Sequence, residues 1–466
     1  MTSLVKVDPK LATADVGLYA SGRVAVDEGN AGREPRHSTT ERVDGYVADI
    51  TPDISLLGKK VRLPSSLRAL RHRNFRLFWT GYMVSLVGTW MQVVARGWLV
   101  LELTHSPFWL GMVGFANALP VLLLSLWAGE VADRVSKRVL VLWTQILSML
   151  ATFALAALTL TGLIEVWHVM AISLFMGVLF AFDAPARQAF TVELVGKDDL
   201  LNAVALNSAI FNGARVAGPA VGAVALAWQG PGLAFLLNGL SFLAVIAGLL
   251  RMNMPRFERV KKSEKSFSRI IEGLRYVRHH ETISTLMILV VTSSVFAFPY
   301  ATLMPIFADN VLHVGKEGYG TLMAVSGVGS LVGALSLTWQ SGRSSVKRGR
   351  MIIIGSIGLP LFLGVFALSQ NYLLSLAMLA GVGWTMISVN ATTNTVIQTT
   401  VPDELRGRVS GVFAFLFIGM APLGNLQSGL IADHFGAPAA VAFGAAVCGL
   451  VALFIFFRRR KLFLLQ

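Results

Sequence analysis

Pro120-Val121-Leu122-Leu123-Leu124-Ser125-Leu126-Trp127-Ala128-Gly129-Glu130-Val131-Ala132-Asp133-Arg134-Val135-Ser136-Lys137-Arg138-Val139-Leu140-Val141-Leu142-Trp143 sets a charged, turn-forming decapeptide between two apolar runs. The run before it begins near 108 and the run after it ends near 163. About 20 apolar residues cross a bilayer core as helix, so this stretch reads as two spans joined by a basic turn. Working outward, runs of spanning length recur near 77–100, 108–130, 139–163, 167–186, 203–228 and 233–250. Six more lie near 284–308, 319–340, 351–369, 372–393, 408–430 and 437–457. A closed β-barrel also satisfies every backbone polar group in lipid, but it needs alternating segments of about ten residues, and these runs are continuous. An all-α integral membrane protein with twelve transmembrane helices is expected.

Composition agrees with that reading. Of 466 residues, 54% are hydrophobic and 14% charged, against about 25% charged in a soluble globular protein. The single cysteine, Cys448, excludes a disulfide framework and any Cys-built zinc or iron–sulfur centre. Residues 1–66 are polar, mixed in charge and without sustained period, and read as a flexible tail. No apolar h-region follows the start, so no cleavable signal is expected.

A net charge of +14 would suggest nucleic acid in a soluble protein, but its placement argues otherwise. Thirteen Lys and Arg precede the first span, nine lie between Arg251 and Glu281, and further clusters follow spans two, eight and twelve. The loops on the opposite side hold one, Lys316. That asymmetry predicts a multi-pass inner-membrane protein with both termini in the cytoplasm and no nucleic-acid partner. In the central loop, Phe267, Ile270, Ile271, Leu274 and Val277 are spaced three and four apart among Arg269, Arg275 and Arg278. This suits a basic amphipathic helix on the membrane surface, most simply a tie between two bundles.

Six spans, a basic loop and six more spans suggest a duplication. Gly111 and Gly320 occupy matching places, as do Pro219 and Pro422, and the basic turn 133–138 corresponds to 342–348. The offset is near 205 residues. The expected organisation is a tail at 1–66, a six-helix bundle at 67–251, an amphipathic linker at 252–282, a second bundle at 283–457 and a basic end at 458–466. Parallel halves of this kind place substrate near the midplane, at their interface.

The loop Gly129–Arg138 resembles the signature of the major facilitator superfamily: Gly, three residues, Asp, a basic residue, any residue, Gly, two basics. Here Ser136 stands at the second Gly. The resemblance implies a major facilitator fold and a gate latch, with Gly129 allowing close helix approach and Asp133, with Arg187 as its partner, holding the halves together while the cavity faces outward. Arg134, Lys137 and Arg138 would stay in water and on lipid headgroups, where positive-inside anchoring explains them equally well. The stretches 183–188, 200–208 and 218–222, with Asn74–Trp79 and Leu103–Pro107, are similar to the branch that holds the enterobactin exporter and macrolide efflux pumps. Gly213, Gly218, Pro219 and Gly222 resemble the span-five antiporter motif, although ordinary small-residue packing reads the same.

Few charges lie within the spans. Arg215 is near the middle of span five, one turn after Asn212, and Arg96 is in the outer half of span one, one turn after Gln92. A cavity-facing Arg binds an anionic substrate, repels protons, or hydrogen-bonds carbonyls at a helix break. Asp183 is the carboxylate nearest a span centre and so the candidate for proton coupling. Polar and aromatic candidates to line a cavity include Trp90, Gln92, Asn117, Asn238, Tyr300, Asn394 and Asn425, while Trp98, Trp109, Trp167 and Trp228 suit an outer interfacial belt.

No phosphate-cradling Gly-Lys-Ser/Thr loop and no metal-spaced His set occur, so no cofactor, metal or enzymatic chemistry is expected. The reading that follows is a monomeric secondary transporter in a lipid bilayer, exporting a hydrophobic or amphipathic small molecule, with exchange against protons implied by the resemblance alone. Import, or a non-transporting receptor on the same fold, is the alternative.

Overall fold

A computed structural model describes residues 53–56, 59–62, 64–254, 266–341 and 348–458. Twelve helices among them are long and apolar enough to cross a membrane. The first six are α1 (Arg73–Thr104), α2 (Pro107–Arg134), α3 (Lys137–Leu160), α4 (Val166–Val195), α5 (Leu200–Gln229) and α6 (Pro231–Leu250). A short α7 (Ser266–His279) follows. The second six are α8 (Glu281–Val311), α9 (Gly315–Ser341), α10 (Arg348–Leu368), α11 (Tyr372–Thr400), α12 (Asp403–Phe435) and α13 (Ala437–Arg458).

Most helices overrun their apolar runs, because polar residues such as Arg73 and Asn74 continue the helix beyond the hydrocarbon. Boundaries follow local chemistry. Pro107 and Pro231 begin α2 and α6, where a missing N–H costs nothing. Asn371 caps α11 by accepting from the Leu374 amide at 3.0 Å. Gly230 and Gly436 turn the chain with φ of 76° and 86° between α5 and α6 and between α12 and α13.

Two helices are irregular. α8 contains π turns at Ser293–Ala297 and Phe307–Val311, either side of Pro299 and Pro305, whose rings remove amide donors. α12 breaks at Met420, next to Pro422. Pro219, which sequence pairs with Pro422, lies instead inside an unbroken α5.

The duplication is visible in the backbone. The two non-glycine residues with positive φ among those described are His105 (49°), after α1, and His313 (53°), after α8. Their offset of 208 residues, and that of 206 between Gly230 and Gly436, match the offset of the sequence repeat. Gly111 and Gly320 perform the same task in each half. A Cβ on Gly111 would lie 2.7 Å from the Gly429 Cα of α12, and one on Gly320 would lie 2.9 Å from the Pro219 carbonyl of α5. Lipid leaves helix association to close van der Waals contact, so these crossings of α2 on α12 and α5 on α9 depend on the absent side chains.

The helices that carry the Lys/Arg-rich connections define a basic face, and the opposite face carries Lys316. Toward the far face the halves share one core, built from α1 residues such as Val94 and Leu99 and from α8 and α9 residues such as Leu303, Phe307 and Tyr319. Toward the basic face the cores are separate. One belongs to the first half, around Phe75, Phe190 and Leu249. Another belongs to the second, around Val277, Ile397 and Val412.

The expected amphipathic helix is α7. Its Gly273 lies against the Arg408 carbonyl of α12, and Arg408 pairs with Glu272. Leu274 remains 52% exposed. The side chains of Phe267, Arg269 and Ile270 lie outside the described residues.

The stretch read as a tail departs from expectation near its end. Asp53–Leu56 and Lys59–Arg62 pair as an antiparallel hairpin, and Ser65–Arg71 forms a 3-10 helix. That helix docks on the α4–α5 connection. Asp199 pairs with Arg68 at 2.9 Å and Arg71 at 2.8 Å and hydrogen-bonds His72, while Asn202 accepts from the Ala69 amide. Burial pushes the Asp199 carboxyl up, but the His72 hydrogen bond with the Arg71 and Arg68 charges outweighs it and holds the group below the usual carboxylate range. Residues 1–52 lie outside those described.

Candidate functional site

Between the halves, a cavity of about 150 Å³ is lined by α1, α2, α8 and α9, with Trp90, Arg96, Gly114, Thr302, Tyr319 and Met323 on its walls. Its end toward the far face is closed. Trp98 stacks on Tyr319 at 6.0 Å between ring centroids and donates its indole N–H to Glu102 at 2.8 Å. Glu102 also pairs with Lys316 across the halves at 2.8 Å, and the Ser106 hydroxyl donates to Asp433 at 2.9 Å. Gly97 admits the Tyr319 hydroxyl, which would lie 2.7 Å from a Cβ at that position.

The residues singled out from sequence fall into three groups. Arg96 shares the cavity lining with Trp90, and Arg215 lies against the Trp90 ring. Arg96 lines the cavity, and its one hydrogen bond among the described residues is to the Ser173 hydroxyl at 3.4 Å. The Arg215 guanidinium lies 5.8 Å from the centroid of the Trp90 ring, whose edge meets Phe211. Gly218 fixes that tryptophan, since a Cβ there would lie 2.3 Å from the Trp90 Cβ. A Cβ on Gly222 would make ordinary contact with Met91 at 3.4 Å, and the Pro219 carbonyl receives Gly320. Gly213 has open space around it, so close helix packing in this stretch falls on Gly218, Pro219 and Gly222.

A second group does not line the cavity. Gln92 is 4% exposed and accepts from Asn238 and, at 3.2 Å, from Thr152. It ties α1 to α3 and α6 and is not placed to meet a substrate. Asn117 donates to the Ser173 carbonyl at 3.0 Å, joining α2 to α4. Asn212 donates to the Ser208 carbonyl of its own helix at 2.8 Å. Asn394 is exposed on α11, away from the cavity walls. Asp183 is 3% exposed and pairs with Arg187, while accepting from Thr144 at 2.8 Å and Gln145 at 3.1 Å. Arg187 in turn lies over the Tyr82 ring at 4.3 Å.

The third group is the signature loop, where several expectations are corrected. Asp133 is exposed and does not meet Arg187, which is already held by Asp183. A Cβ on Gly129 would find no described atom within 4 Å, so no described helix packs closely on it here. The reason is common to both: the halves have separate cores toward this face. Lys137 is 9% exposed, not in water, and pairs with Glu193 of α4 at 3.0 Å. Arg138 donates to the Leu249 and Leu250 carbonyls at 2.9 and 3.2 Å, capping the last turn of α6 where helix carbonyls and dipole favour a cation. Arg134 pairs with Glu130 at the surface.

Trp98 also departs from expectation. It is 5% exposed inside the shared core, while Trp167 and Trp228, at 57% and 75%, remain candidates for the interfacial belt. Sequence reasoning did not find Gly97, Thr302 or Tyr319 as cavity residues. Their signal is distributed over three helices that only the fold brings together.

The family described as transmembrane secretion effector, within the major facilitator superfamily, matches residues 64–463. The chain is 28% identical to the staphyloferrin A transporter of Staphylococcus aureus over 78% of this chain and 90% of that one. It is 29% identical to the multidrug efflux pump Tap of Mycolicibacterium fortuitum, over 79% and 92%. It is 23% identical to the enterobactin exporter EntS of Escherichia coli, over 84% and 93%. The fold is that of a bacterial homologue of the lysosomal transporter Spinster, with a TM-score of 0.64 at 13% identity over 84% of this chain and 96% of that one. These relatives are transporters, not enzymes, and the match over nearly all the described residues makes this chain a multi-pass membrane transporter of the transmembrane secretion effector family in the major facilitator superfamily.

Proposed function

We propose that this carrier is a secondary active exporter of a hydrophobic or amphipathic small molecule, working by alternating access from the cytoplasm. The observation that carries the reading is the closure of the cavity toward the far face by Trp98–Tyr319 and Glu102–Lys316, beside half-cores that are distinct toward the basic face among the described residues. The basic face lies in the cytoplasm of an inner membrane by the positive-inside rule, so both termini lie there too. Cargo then enters from the cytoplasm and leaves when the far-face contacts part. The efflux activity in the names of two relatives supports that direction.

In the opposite state the basic face closes. The exposed Asp133 and the open space at Gly129 then suit the latch that the superfamily signature implies. A single copy holds a complete cavity, which supports a monomer in the bilayer. Protons are the expected counter-ion. Among the described residues lining the cavity there is no Asp or Glu, and Asp183, buried in α4, is the candidate coupling carboxylate.

Efflux of a panel of amphipathic dyes and siderophores from cells expressing the chain, with and without a protonophore, tests the proposal. Loss of dye that stops with the protonophore is expected. Accumulation instead of loss would reverse the direction, and flux that persists without a gradient would remove proton coupling.

A further inference from the structure

We propose that the cavity selects organic anions with a flat, conjugated group, a substrate class that rests on the carrier reading above. The argument begins with charge. Arg96 lines the cavity and Arg215 lies over the Trp90 ring that forms part of its wall. Neither guanidinium is in an ion pair among the described residues. Two carboxylates of the first half are committed elsewhere: Glu102 to Lys316 and Trp98, and Asp183 to Arg187, Thr144 and Gln145. The walls therefore carry positive charge without an internal counter-ion.

Membrane-embedded cations are rare because they are costly, and those that persist face a cavity or a partner. An anionic cargo supplies that partner. Its charge accepts hydrogen bonds from the guanidinium fork of Arg96, whose one protein bond is a long contact to Ser173. A cationic drug in the same place meets like charge in a poorly screened site, which works against binding.

Shape adds the second requirement. Trp90 is held by Gly218 behind it and Phe211 at its edge, and so presents a fixed aromatic surface. Arg215 already occupies a cation–π position on that ring, at 5.8 Å. A planar group beside Trp90 stacks on the indole and stays within reach of both cations. The backbone of Arg215 is fixed in turn, because its carbonyl would lie 2.7 Å from a Cβ on Gly327 of α9. The volume of about 150 Å³ suits one ring-sized group, so larger cargo extends toward the basic face.

The test compares two probes that share a ring and differ in charge, 2-naphthoate and 2-naphthylmethylammonium, binding to the purified full chain in nanodiscs by calorimetry. Naphthoate is expected to bind at least tenfold more tightly. Arg96→Gln and Arg215→Gln should each lower its affinity about tenfold, while Arg96→Lys retains most of it. The lysine variant keeps the test decisive if a glutamine variant fails to fold. Equal or tighter binding of the ammonium overturns the proposal, as does naphthoate binding that survives both charge removals. Flux in proteoliposomes separates the two readings. Transport of the ammonium but not of naphthoate sinks the anion site and leaves the carrier, whereas naphthoate binding without flux does the reverse.

Discussion

Lys316 and Glu102 form an ion pair of 2.8 Å that bridges the two halves at the far face. Lys316 is the one basic residue in the connections on that side, an exception to the charge pattern that the pair explains. Both side chains are more than a third exposed, so screening keeps the pair worth about 0–1 kcal/mol. Glu102→Gln should therefore raise the far-face-open population about two- to fivefold. A cysteine at Thr302, in a Cys448→Ser background, should react with an impermeant maleimide from the medium two- to fivefold faster in the variant. Unchanged labelling would exclude the pair from closure.

Gly111 and Gly129 lie in one helix and should respond oppositely to a large side chain. Gly111→Leu collides with backbone of α12 at 2.6 Å and should cost about 1–3 kcal/mol, read as a lower melting temperature in detergent. Gly129→Leu meets nothing within 4 Å and should leave the melting temperature unchanged. It should nevertheless reduce flux at least tenfold, by obstructing closure of the basic face. Normal flux would show that the signature glycine is not covered during the cycle.

Asp183 separates a structural role from proton coupling. Removing one member of a buried pair leaves the other charge uncompensated, at about 3–5 kcal/mol. Asp183→Asn should thus lower the melting temperature by several degrees, and Asp183→Asn with Arg187→Met should recover much of the loss. A variant that folds with wild-type stability, yet transports without regard to the proton gradient, would instead make Asp183 the coupling residue.

Asp199 gives a pH dependence of definite sign. Its folded carboxyl lies below the ordinary range, so its contribution is complete above the ordinary carboxylate pKa of about 4 and is lost as pH falls through the folded value beneath it. The groups facing it are Arg68, Arg71 and His72. Amides of 65–72 should stay protected from hydrogen exchange at neutral pH and lose protection in strong acid. Asp199→Asn should expose them at neutral pH, with opening favoured by about 2 kcal/mol. Equal protection in both proteins would assign the docking to Asn202 alone.

The order of spans, their pairing into halves and the basic face were legible because apolar length and Lys/Arg placement are local properties. Arg96 and Arg215 stood out for the same reason: a charge within an apolar run needs an explanation. Gln92 and Trp98 were misplaced because a polar or aromatic side chain faces core, cavity or lipid according to its neighbours. Gln92 finds Asn238 across 146 residues and Trp98 finds Tyr319 on another helix. Lys137 and Arg138 were read as solvated, yet one lies against Glu193 and the other ends α6. The 3-10 helix before α1 was hidden because its stabilising partners lie in the α4–α5 connection.

Separate cores at one end and a shared core at the other make each six-helix half a self-sufficient folding body toward the basic face. What joins them elsewhere is mutual fit, through the glycine crossings at Gly111 and Gly320 and the aromatic contact of Trp98 with Tyr319. A break in the chain within 255–265 should therefore be tolerated: two polypeptides made together in one membrane are expected to co-purify and to restore flux, and halves that do not associate would show that the connection itself is needed.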